Sequence, residues 1–267
     1  MELNKVYIYK NNNKASAEAA EKFRDVMESQ GVEVTSNYGE ADILVCIGGD
    51  GAFLRFVHAC GFPRQPIVGI NTGHLGFFQE LRAQHIKSFH RIISEDRFTI
   101  QKLHPVSACI VSSRGETTVL GLNEVLFRGP YTHLTHFTIQ MGDTDIQDFS
   151  GDGVLVSTSA GSTAYNYSLG GALAAPELDA LQLTPIAPMN TNAYRCFRSS
   201  ILYPADMKLT LKASERTSRD KIEVVYDGLS GVFNNVHEIR ITQSPITVDL
   251  IRLESYNYWE KLKSKLL

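Results

Sequence analysis

The sequence is short of cysteine, of basic charge and of long apolar runs. Its four cysteines form no Cys-x-x-Cys pair, which argues against both a disulfide scaffold and a zinc ribbon. The formal net charge of −3 disfavours a nucleic-acid binder, because that class usually carries a basic surplus. We find neither an apolar run of about 18 residues nor the apolar core of a signal peptide, so we expect a cytoplasmic protein without a membrane partner.

The first part of the chain instead contains apolar segments that alternate between strand and helix patterns. With 267 residues, the chain is long enough for one large or two modest domains. Continuous or alternating apolar runs predict strands, and a 3.6-residue period predicts helices. The predicted order is strand Leu3–Tyr9, helix Ala15–Gln30, strand Val32–Thr35, strand Ile43–Ile47, helix Phe53–Cys60 and strand Pro66–Ile70. This alternation is typical of a parallel α/β domain.

From about residue 98 the pattern changes to short β-rich runs separated by Gly, Asp, Asn and Ser. Turn signals recur about every ten residues, which predicts an all-β, sandwich-like second domain. Helical periodicity returns only at about 176–183. The last segment, Tyr256–Leu267, predicts a helix that packs back on the first domain. We therefore predict an α/β nucleotide-binding domain at 1–97 with about 250–267, and a β-rich domain at 98–249.

The most informative stretch is an apolar strand that ends at Gly48-Gly49-Asp50-Gly51. Glycine lets a ligand approach the backbone, and the amides of a turn before a helix form an anion site. A second glycine-bearing loop, Asn71–Gly76, follows the next strand. Both loops are therefore expected at the sheet edge where α/β proteins bind ligands. The residues predicted to bind phosphate are Gly48, Gly49, Gly51, Asn71 and Gly73.

Asp50 is the unusual member of the first loop, because a carboxylate repels phosphate. Its presence would be explained if it holds a metal ion, accepts a proton or bonds a sugar hydroxyl. The alternative is that Asp50 caps the following helix, which is a common use of aspartate. His74, in the second loop, could act as a general base, although a loop histidine that bonds the backbone is the simpler interpretation.

Two later stretches also contain groups suited to a nucleotide. Asn123-Glu124 stands at a break between predicted strands, where asparagine is common in turns. As a ligand site, Asn123 could pair with an adenine edge and Glu124 could bond ribose hydroxyls. The stretch Gly151–Gly171 contains a second Gly-Asp-Gly and then a loop rich in glycine and hydroxyl groups. Such a loop offers amides and hydroxyls to phosphates, and Tyr165 can stack on a planar ring.

The four stretches resemble those of the NAD kinases in order and approximate spacing, over nearly the whole chain. The diacylglycerol and sphingosine kinases share the first turn and a similar Asn-Glu step, but not the long Gly151–Gly171 stretch. The resemblance to NAD kinases implies transfer of a phosphoryl group from ATP, or from inorganic polyphosphate, to the adenosine 2′-hydroxyl of NAD, which gives NADP. It also implies a divalent cation, Mg²⁺ or Mn²⁺, and a homodimer or homotetramer.

By position, the resemblance implies that Asp50 is the proton acceptor for the 2′-hydroxyl and that the two glycine loops bind ATP. It leaves the metal ligands unassigned. The residues that it implies for binding NAD are Asp50, Gly51, Asn123, Glu124, Asp152, Thr163, Ala164, Tyr165, Asn166, Tyr167, Ser168, Ala187 and Asp227.

At four positions the chain departs from the pattern of that family. Ala52 stands where Thr is usual and Ser150 where a basic residue is common, while Ser159 and Ala160 replace Pro and Thr. Because of these departures, a nucleotide sensor without turnover is an alternative function. Because lipid kinases share the first turn, a lipid kinase is a second alternative. Because the sequence ties no lysine to a glycine loop, we expect backbone amides and the metal to neutralise the phosphates.

Overall fold

The computed structural model describes residues 2–73, 76–130, 133–191 and 195–267. The chain forms two compact units, one made of Met1–Leu103 with Thr247–Leu267 and the other of His104–Ile246. Within the described residues, no helix combines the length and the apolar character needed to cross a membrane.

The chain up to Leu103 alternates between strands and helices. Its elements are β1 (Lys5–Lys10), α1 (Lys14–Ser29), β2 (Glu33–Thr35), β3 (Ile43–Ile47), α2 (Asp50–Ala59), β4 (Ile67–Asn71), β5 (Gln79–Arg82), α3 (Phe89–Ser94) and β6 (Phe98–Leu103). Asn13 starts α1 by accepting a hydrogen bond from the Ser16 N–H at 2.8 Å, and Phe23 and Met27 bury the apolar face. The predicted helix at 15–30 and the predicted strand at 43–47 are confirmed as α1 and β3.

The second unit consists mainly of strands, after which the chain returns to the first unit. The elements of the second unit are β7 (Val106–Ser112), β8 (Gly115–Gly121), β9 (Glu124–Arg128), β10 (Thr135–Met141), β11 (Thr144–Gly151), β12 (Gly153–Thr158), α4 (Tyr165–Ser168), β13 (Ala180–Ile186), β14 (Ile201–Pro204), β15 (Leu209–Ala213), α5 (Glu215–Arg219), β16 (Lys221–Tyr226), β17 (Leu229–Asn234) and β18 (Val236–Gln243). The returning elements are β19 (Val248–Leu253) and α6 (Tyr258–Leu266).

The strands of the first unit form a sheet in the order β2-β1-β3-β4-β19-β6, with β5 paired to β4. The strands β1 to β4 run parallel to their neighbours, and β19 pairs parallel with β4 and antiparallel with β6. Every residue of β3 is buried, as expected for an apolar strand covered on both faces. Because β2 and β3 flank β1, the strand order reverses there, and the carboxyl ends of β1 and β3 form the type of crevice that binds ligands.

The described strands of the second unit form two antiparallel sheets, β11-β10-β15-β18-β7-β8 and β14-β13-β12-β9-β16-β17. One apolar core cluster takes side chains from both sheets, for example Ile110 and Ile239 from the first and Phe127 and Val156 from the second. Two sheets that share such a core form a β-sandwich. The predicted fold class is confirmed: a parallel α/β domain precedes a sandwich-like domain, and the last segment packs on the first.

Candidate active site

Asp50 is the first residue of α2 and lies close to the end of the buried strand β3. Gly49 occupies the N-cap position of this helix, so the alternative that Asp50 is the cap is wrong. The Asp50 carboxylate instead accepts hydrogen bonds from the backbone N–H groups of Phe77 and Phe78, both at 3.1 Å. It also contacts Lys265 Nζ. The two backbone donors fix the carboxylate beside the glycine turn.

Gly76 and Gln79 complete the surroundings of Asp50. A Cβ atom on Gly76 would overlap both Asp50 Oδ1 and Gln79 Oε1, so a side chain there would displace one of them. Gln79 is fully buried, and neither polar atom of its amide has a hydrogen-bond partner in the part of the chain that is described. Buried polar groups are normally hydrogen-bonded, so this amide has hydrogen-bonding capacity that the described protein groups do not use.

The turn before α2 also brings together Asn11, at the end of β1, and Arg55. Gly48 has a φ of 156°, and a Cβ atom there would lie 2.7 Å from Ala52 Cβ and 3.1 Å from Asn11 Cβ. Glycine therefore permits this close approach. Arg55 donates a hydrogen bond to Asn11 Oδ1 at 3.1 Å, and its Nη1 lies 3.6 Å from where a Cβ of Gly51 would be. A guanidinium group thus lies beside the turn.

The premise that no lysine is associated with a glycine loop is wrong in the folded protein. Lys265 reaches Asp50 from α6, across a sequence separation of 215 residues, and Arg55 lies beside Gly51. Sequence reasoning missed both cations. Arg55 could have been found, because it lies four residues after Gly51 on the helix and therefore on the same face. No local pattern connects Lys265 with Asp50.

The described start of the second glycine loop, Asn71 to Gly73, is held by the Asn71 side chain. Asn71 Nδ2 donates to the Gly73 carbonyl oxygen at 2.9 Å, and Asn71 Oδ1 accepts from the Gly73 N–H at 3.0 Å. The hydroxyl groups of Thr72 and Ser16 lie 2.9 Å apart, which connects the loop to the start of α1. The loop is thus held at the carboxyl end of β4. His74, the candidate general base, lies outside the described residues.

In the second unit, Asp227 fixes the backbone of the predicted Asn-Glu step. Its carboxylate accepts hydrogen bonds from the N–H groups of Leu122 (2.6 Å), Asn123 (2.8 Å) and Glu124 (3.3 Å). Asp227 itself has a φ of 48°, in a region that few residues other than Gly, Asn and Asp adopt readily. The geometry therefore brings Asn123, Glu124 and Asp227 together, with Asp227 as the residue that holds the other two.

Glu124 is a buried carboxyl group in an unfavourable environment for charge. Burial, and secondarily the charge of Asp227, raises the pKa of Glu124 to about 8, while a backbone hydrogen bond from Tyr165 opposes the shift. Its Oε2 atom has no hydrogen-bond partner among the described residues. At neutral pH the protonated form of Glu124 therefore predominates, and a protonated carboxyl can donate as well as accept a hydrogen bond.

Glu124 should make the folded protein less stable as the pH rises. Its pKa is higher in the folded state than the ordinary value of 4.5, so the folded state holds the proton more tightly, and stability falls between about pH 4.5 and about pH 8. Replacement by glutamine removes this dependence. We expect the free energy of unfolding of Glu124→Gln, relative to that of the parent, to be about 3–4 kcal/mol higher at pH 9 than at pH 5, measured by urea unfolding.

The exposed Glu21 provides a control, because Glu21→Gln makes the same substitution at a side chain that lies in solvent. Equal effects of the two substitutions would show that Glu124 is ionised in the folded protein at neutral pH.

The loop after β12 is folded around buried polar groups. Thr158 Oγ1 donates to the Leu122 carbonyl oxygen at 2.8 Å and accepts from the Gly161 N–H at 3.0 Å. Asn166 is fully buried and accepts a hydrogen bond from Thr184 Oγ1 at 2.6 Å. The remaining predicted residues of this loop are partly or largely exposed, namely Thr163, Ala164, Tyr165, Tyr167 and Ser168. The Thr158 N–H also donates to the Asn123 carbonyl oxygen at 2.9 Å, so the loop is anchored to the Leu122 and Asn123 backbone while its outer residues are accessible.

A cavity of about 210 Å³ lies beside Asp152 and Tyr165 in the second unit. Its other lining residues are Leu126, Arg128, Gly129, Pro130, His133 and Ile186. Arg128 Nε donates to a Glu223 carboxylate oxygen at 2.8 Å, and Ala187, with a φ of 44°, follows directly after the wall residue Ile186. Sequence reasoning missed Arg128 and His133, because both stand outside the glycine-rich motifs.

Asp50 and Gly51 lie in the first unit, and the other predicted NAD-binding residues lie in the second. The residues in the second unit include two clusters. One consists of Asn123, Glu124 and Asp227, and the other consists of Asp152 and Tyr165 at the cavity. In the first unit, Gly48, Gly49 and Gly51 surround Asp50 in the turn, and Asn71 and Gly73 form the neighbouring loop.

Comparisons with known proteins identify the family of this chain. The family model for the ATP-NAD kinase N-terminal domain matches residues 6–98, and that for the ATP-NAD kinase C-terminal domain matches residues 122–253. A protein named NAD kinase from Finegoldia magna is 37% identical, over 98% of this chain and 97% of its own length.

Two solved structures show the same fold. Yeast NADH kinase, complexed with NADH, has a TM-score of 0.84 at 20% identity, over 99% of this chain and 87% of its own. An Archaeoglobus fulgidus NAD kinase, in complex with ATP, has a TM-score of 0.76 at 23% identity, over 98% of this chain and 99% of its own. Because both family models match and the Finegoldia magna protein is 37% identical over nearly the whole chain, the chain belongs to the NAD kinases, a family of phosphotransferases.

Proposed function

We propose that this protein transfers the γ-phosphoryl group of ATP to the adenosine 2′-hydroxyl of NAD, with Asp50 as the proton acceptor. The observation that carries the proposal is the position of the Asp50 carboxylate, which the N–H groups of Phe77 and Phe78 hold at the glycine turn. Family membership supports the substrates, since one relative of this fold was solved with ATP and another with NADH.

Phosphoryl transfer has a loose transition state, so catalysis consists mostly of alignment and of charge neutralisation. The Asp50 carboxylate would accept a hydrogen bond from the 2′-hydroxyl, align its oxygen with the phosphorus and take up its proton as the new bond forms. The amides of the turn at Gly48, Gly49 and Gly51 would bind the donor phosphates, as would the loop formed by Asn71 and Gly73. Polyphosphate as an alternative donor remains part of the proposal.

We assign the dinucleotide to the residues of the second unit. Tyr165 lines a cavity with Asp152 and can stack on a planar ring. Asn123 and Glu124 are fixed through Asp227, which suits a site that reads the adenosine by hydrogen bonds. A protonated Glu124 would donate to an acceptor atom of the ligand. The homo-oligomeric state and the cytoplasmic location remain predictions.

A divalent cation fits the site as an ion carried by the donor. Among the described residues, no group of three or more His, Cys, Asp and Glu side chains could hold a metal. Mg²⁺ commonly keeps several waters and binds through one or two protein oxygens plus substrate phosphates. Asp50, whose side chain is 22% exposed, would provide such an oxygen, and the ion would neutralise phosphate charge.

Chelation should therefore abolish turnover reversibly. With excess EDTA we expect NADP formation from ATP to fall to background and to return when Mg²⁺ or Mn²⁺ is added in excess. NAD binding without ATP, measured by calorimetry, should not change. Turnover that survives complete chelation would contradict a metal-dependent transfer.

A coupled assay tests the function directly. The purified protein is incubated with NAD and either ATP or polyphosphate, and NADP is measured with an NADP-specific dehydrogenase. Diacylglycerol and sphingosine are offered as acceptors in parallel, with radiolabelled ATP. We expect NADP and no labelled lipid. Labelled lipid would favour a lipid kinase, whereas saturable NAD binding without NADP would favour a nucleotide sensor.

A further inference from the structure

The helix α6 is firmly anchored beside the backbone that holds Asp50. Lys261 Nζ donates to the Gln79 carbonyl oxygen at 2.5 Å and to Glu80 Oε1 at 2.6 Å. Arg252 Nη1 donates to the same Glu80 oxygen at 2.6 Å and to the Phe77 carbonyl oxygen at 2.9 Å. These side chains are mostly buried. The start of α6 and the segment from Phe77 to Glu80 thus form one charged, hydrogen-bonded cluster.

One turn further along α6, Lys265 lies directly on the carboxylate. Its ammonium group contacts Asp50 Oδ2 and lies 4.7 Å from the centre of the Phe77 ring. The side chains of Lys265 and Asp50 are 35% and 22% exposed. The anchored helix therefore places a partly accessible cation at the proposed proton acceptor.

The hydrogen bonds of Asp50 show which of its partners can move. Oδ1 accepts from the Phe78 N–H, while Oδ2 accepts from the Phe77 N–H and contacts Lys265. The two amides belong to the anchored segment, whereas the lysine contact is made by the end of a flexible four-carbon stem. When a hydroxyl approaches Asp50, Lys265 is therefore the partner that can shift without a change in the backbone.

The charges around the proposed reaction favour movement of the Lys265 ammonium group toward the donor phosphate. The carboxylate and the transferring phosphoryl group are both negative, and both must approach the same hydroxyl oxygen. A cation between them reduces their repulsion, and phosphate oxygens are strong acceptors for an ammonium group. Arg55, the other cation beside the turn, already donates to Asn11.

We propose that Lys265 binds the donor phosphate, with its ammonium group held on Asp50 until ATP arrives. The inference rests on the proposed function. In the transfer, the bond from the 2′-oxygen to phosphorus forms, the bond from phosphorus to the leaving β-phosphate oxygen breaks, and the hydroxyl proton goes to Asp50. Lys265 keeps its protons and contributes charge alone.

Kinetics of matched variants test this assignment. We expect Lys265→Met to lower kcat/KM for ATP by about 10- to 100-fold, the range for one hydrogen bond to a charged group, with the affinity for NAD unchanged. Lys265→Arg should restore most of the loss, because it keeps the charge. Lys263→Met, a substitution of an exposed lysine on the same helix, should behave like the parent protein.

ATP binding without NAD gives a second readout, by calorimetry. In the absence of a divalent metal, Asp50→Asn should bind ATP more tightly than the parent, because it releases Lys265 and removes a repulsive charge. Much of that gain should disappear in the Asp50→Asn, Lys265→Met double variant. If Lys265 had only a structural role, Lys265→Met would lower the affinity for NAD as well, and Lys265→Arg would not restore the activity.

Normal kcat/KM for ATP in Lys265→Met would overturn the inference, as would a loss that arginine does not rescue. The proposed function fails separately, if Asp50→Asn retains full turnover or if the parent protein forms no NADP.

Discussion

Replacement of Asp50 by asparagine is expected to lower kcat for NADP formation by at least two orders of magnitude. A general base typically contributes about 10²–10⁴-fold, and the amide cannot take up the hydroxyl proton. Asparagine has nearly the shape of aspartate, but only its oxygen can accept a hydrogen bond, so it can satisfy the N–H of Phe77 or that of Phe78. Some loss of stability is therefore expected, and NAD binding should persist. Stopped assays for NADP and calorimetry with NAD measure the two effects.

Asp42 offers a matched control for this experiment. Its carboxylate also accepts two backbone hydrogen bonds, from the N–H groups of Asn4 and Lys5, both at 2.8 Å. Both bonds end on Asp42 Oδ2, so the single asparagine oxygen can keep them. Asp42→Asn should therefore remove a carboxylate charge from the same unit with turnover unchanged. If Asp50→Asn retains near-normal turnover, Asp50 does not accept the proton. If both variants lose turnover equally, the effect of Asp50→Asn reflects the lost charge alone.

Replacement of Gly161 by alanine is expected to disrupt the proposed dinucleotide site. A Cβ atom at Gly161 would overlap the backbone carbonyl of Asn123, including its oxygen. Because backbone cannot move aside as a flexible side chain does, either the loop after β12 or the Asn123-Glu124 step must shift. Overpacking of this kind typically costs about 1–3 kcal/mol. We expect a lower Tm and an NAD affinity reduced by at least about tenfold, which thermal unfolding and calorimetry will measure.

Gly39→Ala separates the steric effect from the general effect of the substitution. A Cβ atom at Gly39 would lie 3.4 Å from Asn37 Oδ1, so alanine meets only an ordinary contact there. The Tm and the NAD affinity of this variant should match those of the parent. Normal NAD affinity in Gly161→Ala would show that the contact with Asn123 does not support the dinucleotide site.

Local patterns were sufficient to predict the elements around Asp50. The helix α1 has a clear apolar face with Phe23 and Met27, and β3 is an uninterrupted apolar run, so both agree with the structure to within a residue. The helical period at about 176–183 was misleading, because Ala180–Ile186 is the strand β13. A short window with few apolar residues fits both the helical and the strand period. Pairing with β12 and β14 makes this segment a strand.

The contacts of Asp50 could be predicted only in part. The glycine turn was evident because a strand, three glycines and a helix pattern are adjacent in the sequence. The donors at Phe77 and Phe78 depend on how a later segment folds back. Lys265 depends on the packing of a helix whose lysines look alike in the sequence, and nothing in their spacing singles out the one that reaches the carboxylate.

The place of β19 in the first sheet has a consequence for how the protein is made. The strand lies between β4 and β6, so this sheet stays incomplete until the ribosome has released residue 253. All strands of the second unit emerge earlier, as one continuous segment. Domains tend to fold as units during synthesis, commonly beginning with the N-terminal one, but here we expect the nascent chain to complete its second unit first. Asp50 would gain its lysine partner only after α6 has been translated, so nascent chains should acquire the complete site last.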